Sequence, residues 1–370
     1  MNNFDEKYNI IHLVSNKVWG GGEQYVYNLC RYFSGQGCKV SVYTRPIKAL
    51  TERFSQLDVT LGTLPLKGVL DIRSAFLLAK QLRGGVPFVI HVHNFKDAFT
   101  AVYAKILSGN NAVKVVVTRH LAKKGKDSFM YRWLYRNIDG MIFVSELAKE
   151  RFMQGVKSFP QCKSSVILNS IVVPQDMQSK DIRNEIRLAD GCVLMMYHGR
   201  IAAEKGLDTL VEAMRTVPSN VVAVLIGTGD KEYEAALMEK ADNYGLQGQV
   251  VLAGFRYPVL PYLQGCHFGV LPSIAEESSS LTCMEYLSQG RAVIATDNGG
   301  QREYLTHGSN SLLVPPGNAR LLADAITKLA TDEQLRESMG VQAKNDFTAL
   351  LNFDLFVVRV ADVYKKLFID

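Results

Sequence analysis

Glu277 and Glu285 stand with seven residues between them, and Ser278, Ser279 and Ser280 separate the first from an apolar stretch of helical period. The spacing puts Glu277 in a strand-to-helix loop and Glu285 a little over one turn inside the helix. The first turn of such a helix leaves N–H groups around Leu281 and Thr282 unpaired and carries partial positive charge. It can receive a diphosphate while Glu285 accepts hydrogen bonds from vicinal hydroxyls. Upstream, an apolar run at 193–197 leads into His198-Gly199-Arg200 and then Lys205-Gly206. Arg200 and Lys205 therefore leave the carboxyl end of a strand, where two cations can grip an anion. Each feature also has an ordinary reading. Glutamates flanking a helix start are commonly capping or surface residues, and strand-end cations commonly form surface ion pairs.

Other motifs are weaker. Gly20-Gly21-Gly22 follows a short apolar run and opens a helix-period stretch, a position where backbone amides can take a phosphate. A dinucleotide fingerprint fails there, because the third glycine position is Tyr25. It fails again at Gly227-Thr228-Gly229, where Glu232 stands in that place, and no GxxxxGK[ST] occurs. His91 and His93 at a strand end suggest a metal pair, but no carboxylate or third histidine lies at suitable spacing, which favours a substrate-cleft or structural role. Without any Asp-x-Asp, no metal-bridged diphosphate is expected, and Arg200 and Lys205 take over that task.

The elements that must position these groups alternate along the chain. Strand-like runs at 10–14, 39–43, 88–91, 114–118, 140–144 and 165–168 form a first series. A second covers 193–197, 221–226, 250–253, 268–271, 292–295 and 311–314, with helices expected at 207–215, 233–244, 281–289 and 321–329. Continuous Val/Ile runs point to parallel strands covered on both faces. Between 172 and 186 the composition turns polar without periodicity, which reads as a linker. The expectation is an α/β chain of two doubly wound domains, which 370 residues can supply. With 47% hydrophobic and 21% charged residues, the chain is neither disordered nor fibrous. No run approaches the roughly 20 apolar residues of a spanning helix. The N-terminus lacks a signal peptide's pattern, and six scattered cysteines without CxxC fit reduced thiols, so a cytoplasmic location is expected.

Taken together, Gly20–Glu23, Gly199–Gly206, Gly227–Gly229, the Glu277/Glu285 pair and the tail at 291–300 resemble the GT-B glycosyltransferases, specifically family 4, the "group 1" retaining enzymes. The resemblance covers nearly the whole chain and is most specific in its second half. It implies a GT-B fold, two Rossmann-like domains facing a central cleft. Residues 1–175 would hold the acceptor side, 186–352 a sugar-nucleotide donor, and a closing helix within 353–370 would cross back to the first domain. By the same resemblance, Arg200 and Lys205 bind the departing diphosphate, Glu277 the transferred sugar and Glu285 the ribose hydroxyls. Gly21 and Gly22 approach the phosphate from across the cleft, with Gly199, Gly227, Gly229, Leu281 and Thr282 also on the donor side. His120 corresponds to a histidine near the donor sugar. The substrate would be a UDP- or GDP-sugar with no cofactor, and the family's front-face attack needs no protein nucleophile.

The chain departs from the family in two places. Three serines follow Glu277 where Gly-Phe-Gly is usual, and Asn169-Ser170-Ile171-Val172 replaces Asn-Gly-Val-Asp. A register starting at Glu276 would leave eight residues before Glu285, so Glu277 is the better match. The alternatives of another GT-B reaction, phosphorylase or epimerase, and of a non-catalytic sugar-nucleotide or polyanion binder stay open. One further feature bears on partners: 119–136 holds six basic residues against one acid, interleaved with Phe129, Tyr131, Trp133 and Tyr135, within a net charge of +6. Read as a basic amphipathic helix, it would lie on an anionic membrane surface, placing the enzyme peripherally beside a glycan or lipid-linked acceptor of envelope polysaccharide or lipopolysaccharide synthesis. Nucleic acid is not expected, since no recognition fold accompanies the patch.

Overall fold

The protein is described by a computed structural model covering residues 8–156, 159–160, 163–188 and 191–369; the first seven residues and Cys162 lie outside it. Two compact units result, Met1–Ser170 with Phe353–Asp370, and Ile171–Asn352. Each is a parallel sheet wrapped in helices.

In unit 1 the strands are β1 (Asn9–Val14), β2 (Val40–Thr44), β3 (Thr60–Thr63), β4 (Phe88–Val92), β5 (Val113–Arg119), β6 (Gly140–Phe143) and β7 (Ser164–Val166), ordered β3-β2-β1-β4-β5-β6-β7. Every central run is buried on both faces, as continuous Val/Ile composition requires. Helices α1 (Gly21–Gly35), α2 (Lys48–Phe54), α3 (Ile72–Gln81), α4 (Phe95–Ser108), α5 (Phe129–Asn137) and α6 (Glu146–Met153) connect them. Strand β3, Thr-Leu-Gly-Thr, closes the sheet edge and carries no apolar run, with both threonines exposed and the two residues between them half-buried.

Unit 2 opens with α7 (Ile182–Ile186), a single turn inside the segment expected to be unstructured. Asp181 caps it at the Arg183 amide, and Ile182 is buried. The sheet follows as β8 (Val193–His198), β9 (Val221–Ile226), β10 (Val250–Gly254), β11 (Phe268–Leu271), β12 (Val293–Thr296) and β13 (Ser311–Val314), ordered β10-β9-β8-β11-β12-β13. Its helices are α8 (Leu207–Met214), α9 (Lys231–Asn243), α10 (Leu260–Leu263), α11 (Leu281–Ser288), α12 (Ala319–Thr331) and α13 (Glu333–Leu350). The last helix, α14 (Phe353–Lys366), belongs to unit 1, where Phe356, Val357, Val360, Ala361 and Tyr364 join one core layer.

Both sheets reverse direction of growth once, between β1 and β4 and between β8 and β11. Beyond the carboxyl ends of strands flanking such a reversal, a doubly wound sheet opens a crevice that ligands use.

Candidate active site

The unit 2 reversal carries the charged groups singled out by spacing. Strand β8 ends at His198, and the loop after it delivers Arg200 and Lys205; strand β11 ends at Leu271, and the loop after it delivers Glu277. Lys205 Nζ donates to Glu277 Oε1 at 2.6 Å, and Ser273 Oγ donates to the same oxygen at 2.8 Å. Both partners of this ion pair are largely buried, at 23% and 19% side-chain exposure, so removing either one leaves the other charge poorly solvated and uncompensated. Arg200 differs. Its guanidinium meets Glu204 at 2.5 Å, but both side chains are well exposed, leaving it free to swing onto an anion.

Glu285 lies five positions into α11, and its carboxylate is hydrogen-bonded to His198 Nε2 at 2.5 Å. His198 is nearly buried, with Tyr286 packed edge-on at 4.9 Å between ring centres, so the imidazole holds the carboxylate in one orientation. Sequence reading gave His198 no role; its place at a strand end one residue before Gly199 was the available signal. The start of α11 is capped by Ser280, whose Oγ accepts from the Cys283 amide at 3.2 Å. The first intrahelical bond is Met284 N to Ser280 O, so the Leu281 and Thr282 amides precede the ladder and face outward from the helix start.

The neighbouring glycines pack backbones. A Cβ on Gly227 would sit 1.8 Å from Gly199 O, and one on Gly229 1.7 Å from Ile201 O. Gly206, with φ +71°, would place one 2.0 Å from Pro272 O. Glycine at these positions lets the loops after β8, β9 and β11 meet. The Glu277 loop is held from a third side, where Gly300 N donates to Glu277 O at 2.7 Å and Asn298 Nδ2 donates to Ser273 O and Ile274 O.

In unit 1, Gly21 and Gly22 open α1, but the capping group is Glu23. Its buried carboxylate accepts from the Gly20 amide at 2.9 Å and from Asn16 Nδ2. One of the amides expected to be free for a phosphate is therefore already satisfied from within the loop. A Cβ at Gly22 would meet nothing, so packing of this unit does not require glycine there.

His120 follows β5 and belongs to a histidine cluster. Here the structure corrects the expectation that His91 and His93 lack a third histidine: His12 on β1 pairs in register with His91, and a nitrogen of each of the three lies within 4.8 Å of the others. The spacing argument missed it because the strands are 79 residues apart in sequence yet adjacent in the sheet. Most of the nitrogens are engaged with one another and with hydroxyls, but His12 Nε2 is buried without a hydrogen-bond partner. His12 Nδ1 meets His93 Nε2 at 3.1 Å, and His93 Nδ1 meets His120 Nε2 at 3.5 Å. His91 bonds Tyr364 of α14 and Thr118 of β5, each at 2.6 Å. Burial pushes His12 down to about 3 and His120 to about 4, and burial with neighbouring imidazoles holds His91 and His93 well below the usual range. All four are neutral near pH 7, a polar network rather than a charged one.

The basic segment is not the helix its pattern suggested. Helix α5 begins only at Phe129, and Lys123, Lys124 and Lys126 precede it in extended chain. Gly125 fixes that path: its amide donates to Phe152 O at 3.1 Å, a Cβ on Gly125 would sit 2.3 Å from Val156 Cγ2, and one on Gly155 would sit 2.1 Å from Gly125 O. Tyr135 Oη anchors the stretch further by donating to Lys126 O. Arg119 turns inward over the Phe95 ring, Trp133 lies against Tyr103, and Leu134 and Tyr135 are buried. Phe129, 86% exposed, is what remains of the outward stripe, with Met130 beside it.

With this geometry in place, the comparisons are consistent across both units. Residues 178–346 match the family model described as Glycosyl transferases group 1, and residues 19–173 the one described as Glycosyltransferase Family 4. The chain belongs to the group 1, family 4 glycosyltransferases. Among its relatives, the 2-deoxystreptamine N-acetyl-D-glucosaminyltransferase of Niallia circulans is 23% identical over 88% of this chain and 92% of that protein. The lipopolysaccharide 1,2-N-acetylglucosaminetransferase of Salmonella typhimurium is 24% identical over 82% and 77%. Anabaena HepE, solved in complex with UDP, superimposes with a TM-score of 0.80 at 20% identity, covering 97% of this chain and 100% of that one. The fold is GT-B and the protein is a glycosyltransferase.

Proposed function

We propose that this glycosyltransferase takes a UDP- or GDP-sugar as donor and passes the sugar, with retention and without a metal, to an acceptor hydroxyl in envelope polysaccharide or lipopolysaccharide synthesis. The observation that carries the donor assignment is the meeting of Lys205, Arg200, Glu277, Glu285 and the open start of α11 at one sheet reversal. A diphosphate needs cations and amides; a ribose needs a fixed acceptor for its hydroxyls; both are present there. In this reading the acceptor oxygen attacks the anomeric carbon from the face the diphosphate leaves. The carbon–phosphate-oxygen bond breaks with its electron pair going to the β-phosphate, which takes the acceptor's proton. Lys205 and Arg200 stabilise that growing charge, the task a bridging metal performs elsewhere. Gly21, Gly22 and His120 are assigned to donor contact on the family pattern, with His120 supplying a neutral imidazole.

The envelope assignment draws on the named lipopolysaccharide activity of the Salmonella relative. Among the described residues no helix is long and apolar enough to cross a membrane. The reading therefore places the enzyme in the cytoplasm or peripherally on the membrane's inner face. A thermal-shift panel of UDP-, GDP- and ADP-sugars in EDTA tests the donor assignment. At 100 times its dissociation constant the true donor stabilises by about 2.7 kcal/mol. No shift with any of them, or a shift only after Mn²⁺ is restored, contradicts the reading.

A further inference from the structure

Helix α3 of unit 1 is apolar on two faces. Ser74, Ala75, Leu78 and Ala79 are buried on one. The other presents Ile72 (52% exposed), Phe76 (49%) and Leu77 (39%), preceded by Leu70 at 78%. A helix packed on a sheet keeps polar residues on its outer face unless that face meets something. The exposed charged residues that share it are all cations: Arg73 and Lys80 on the helix, with Lys67 and Arg83 just beyond its ends. Among the described residues none of the four forms an ion pair. The one acid, Asp71, is buried as the N-cap, where its carboxylate accepts from the Ser74 amide and hydroxyl and the Lys67 amide. Lys80 Nζ lies 4.9 Å from the centre of the Phe76 ring, so its aliphatic stem extends along the apolar surface. At the far end Asn110 Nδ2 donates to Leu82 O and Val86 O, tying the end of α4 to that of α3. Val86, Ile106 and Leu107 are exposed at this junction.

We propose that this face of α3 docks on an anionic phospholipid surface, with Ile72, Phe76 and Leu77 in the headgroup layer and Arg73, Lys80, Lys67 and Arg83 around them. Charge complementarity selects the occupant. A second copy of the same face would oppose eight cations with no acid between them, and an acid-free cationic rim around large aliphatic residues suits a bilayer interface. Each cation near such a surface strengthens binding by about fivefold, so four give reversible docking without an anchor. The site is separate from the strand-end cluster of unit 2 and does not depend on the donor reading.

Flotation of the full chain tests it, with vesicles of phosphatidylcholine alone or mixed equally with phosphatidylglycerol, at low and high salt. Wild-type protein should float with the anionic vesicles at low salt. Phe76→Ser/Leu77→Ser and Arg73→Glu/Lys80→Glu should each reduce binding at least tenfold while leaving Tm and donor-induced thermal shifts unchanged. Lys123→Glu/Lys124→Glu/Lys126→Glu should retain most binding. The proposal is overturned by absence of flotation, by flotation of either α3 variant at the wild-type level, or by loss confined to the Lys123 triple variant. Self-association or oligonucleotide binding abolished by the α3 changes, without flotation, also overturns it. A donor shift that persists in any of these outcomes leaves the transferase reading standing.

Discussion

Lys205 and Glu277 hold each other in a largely buried pair, and this sets what each can do alone. On the proposed donor assignment, diphosphate would draw Lys205 from the carboxylate to phosphate oxygens and free Glu277 for a sugar hydroxyl. Lys205→Ala should therefore lower turnover by roughly 10²-fold or more, and Arg200→Ala by a similar factor, from loss of a preorganised charge at the leaving group. Steady-state kinetics with the matched donor check this; near-normal turnover in both variants removes the leaving-group assignment. Glu285 was legible from its spacing to Glu277, whereas His198, which orients it, was not. The bond joins the end of β8 to a helix 87 residues later, and no local pattern encodes such a contact. For Gly20–Gly22 the missed partner was next door. Glu23 at the third helical position returns to the Gly20 amide, a capping arrangement readable from Gly-x-x-Glu alone.

Among the elements, continuous apolar runs located strands reliably where both faces are buried, β9, β11 and β13 to the residue. They failed at β3, Thr-Leu-Gly-Thr, where no residue is buried and no apolar run is needed. The amphipathic reading of 119–136 failed for a tertiary reason, since Gly125 is held against Phe152 and the lysines never enter a helix. Loop elements carry a sharper test. Gly227→Ala or Gly229→Ala would push a methyl into a carbonyl less than 2 Å away, so unit 2 should lose about 3 kcal/mol or more. Gly22→Ala meets nothing in its own unit and should leave Tm unchanged while lowering turnover if donor phosphate approaches that backbone. Calorimetry and kinetics on the three variants separate packing glycines from a contact glycine. An unchanged Tm for both Gly227→Ala and Gly229→Ala would contradict the packing account.

At the scale of the molecule, four neutral histidines, with His12 and His91 fully buried and His93 and His120 half-buried beside them, make unit 1 sensitive to acid. Their folded pKa values are lowered from about 6.5, to about 3 for His12 and about 4 for His120. Above pH 6.5 they are neutral in both folded and unfolded chains and shift nothing; below it the unfolded chain binds protons the folded one refuses. Asp97 works the other way, its buried carboxyl raised to about 7, so stability it contributes at low pH is lost as pH rises from about 4 to 7. Four groups outweigh one, and Tm should fall between pH 6.5 and 4.5, with the fall reduced in His12→Asn. A Tm that rises over that interval would contradict the neutral network. The central claim, however, concerns unit 2: its strand-end cluster is a metal-free site for a nucleoside diphosphate. Calorimetric titration of UDP and GDP into wild-type, Lys205→Ala and Glu285→Ala proteins in EDTA measures this directly. The account predicts one-site binding of one nucleotide, weakened at least tenfold in both variants; wild-type binding that vanishes in EDTA, or equal affinity in all three proteins, would contradict it.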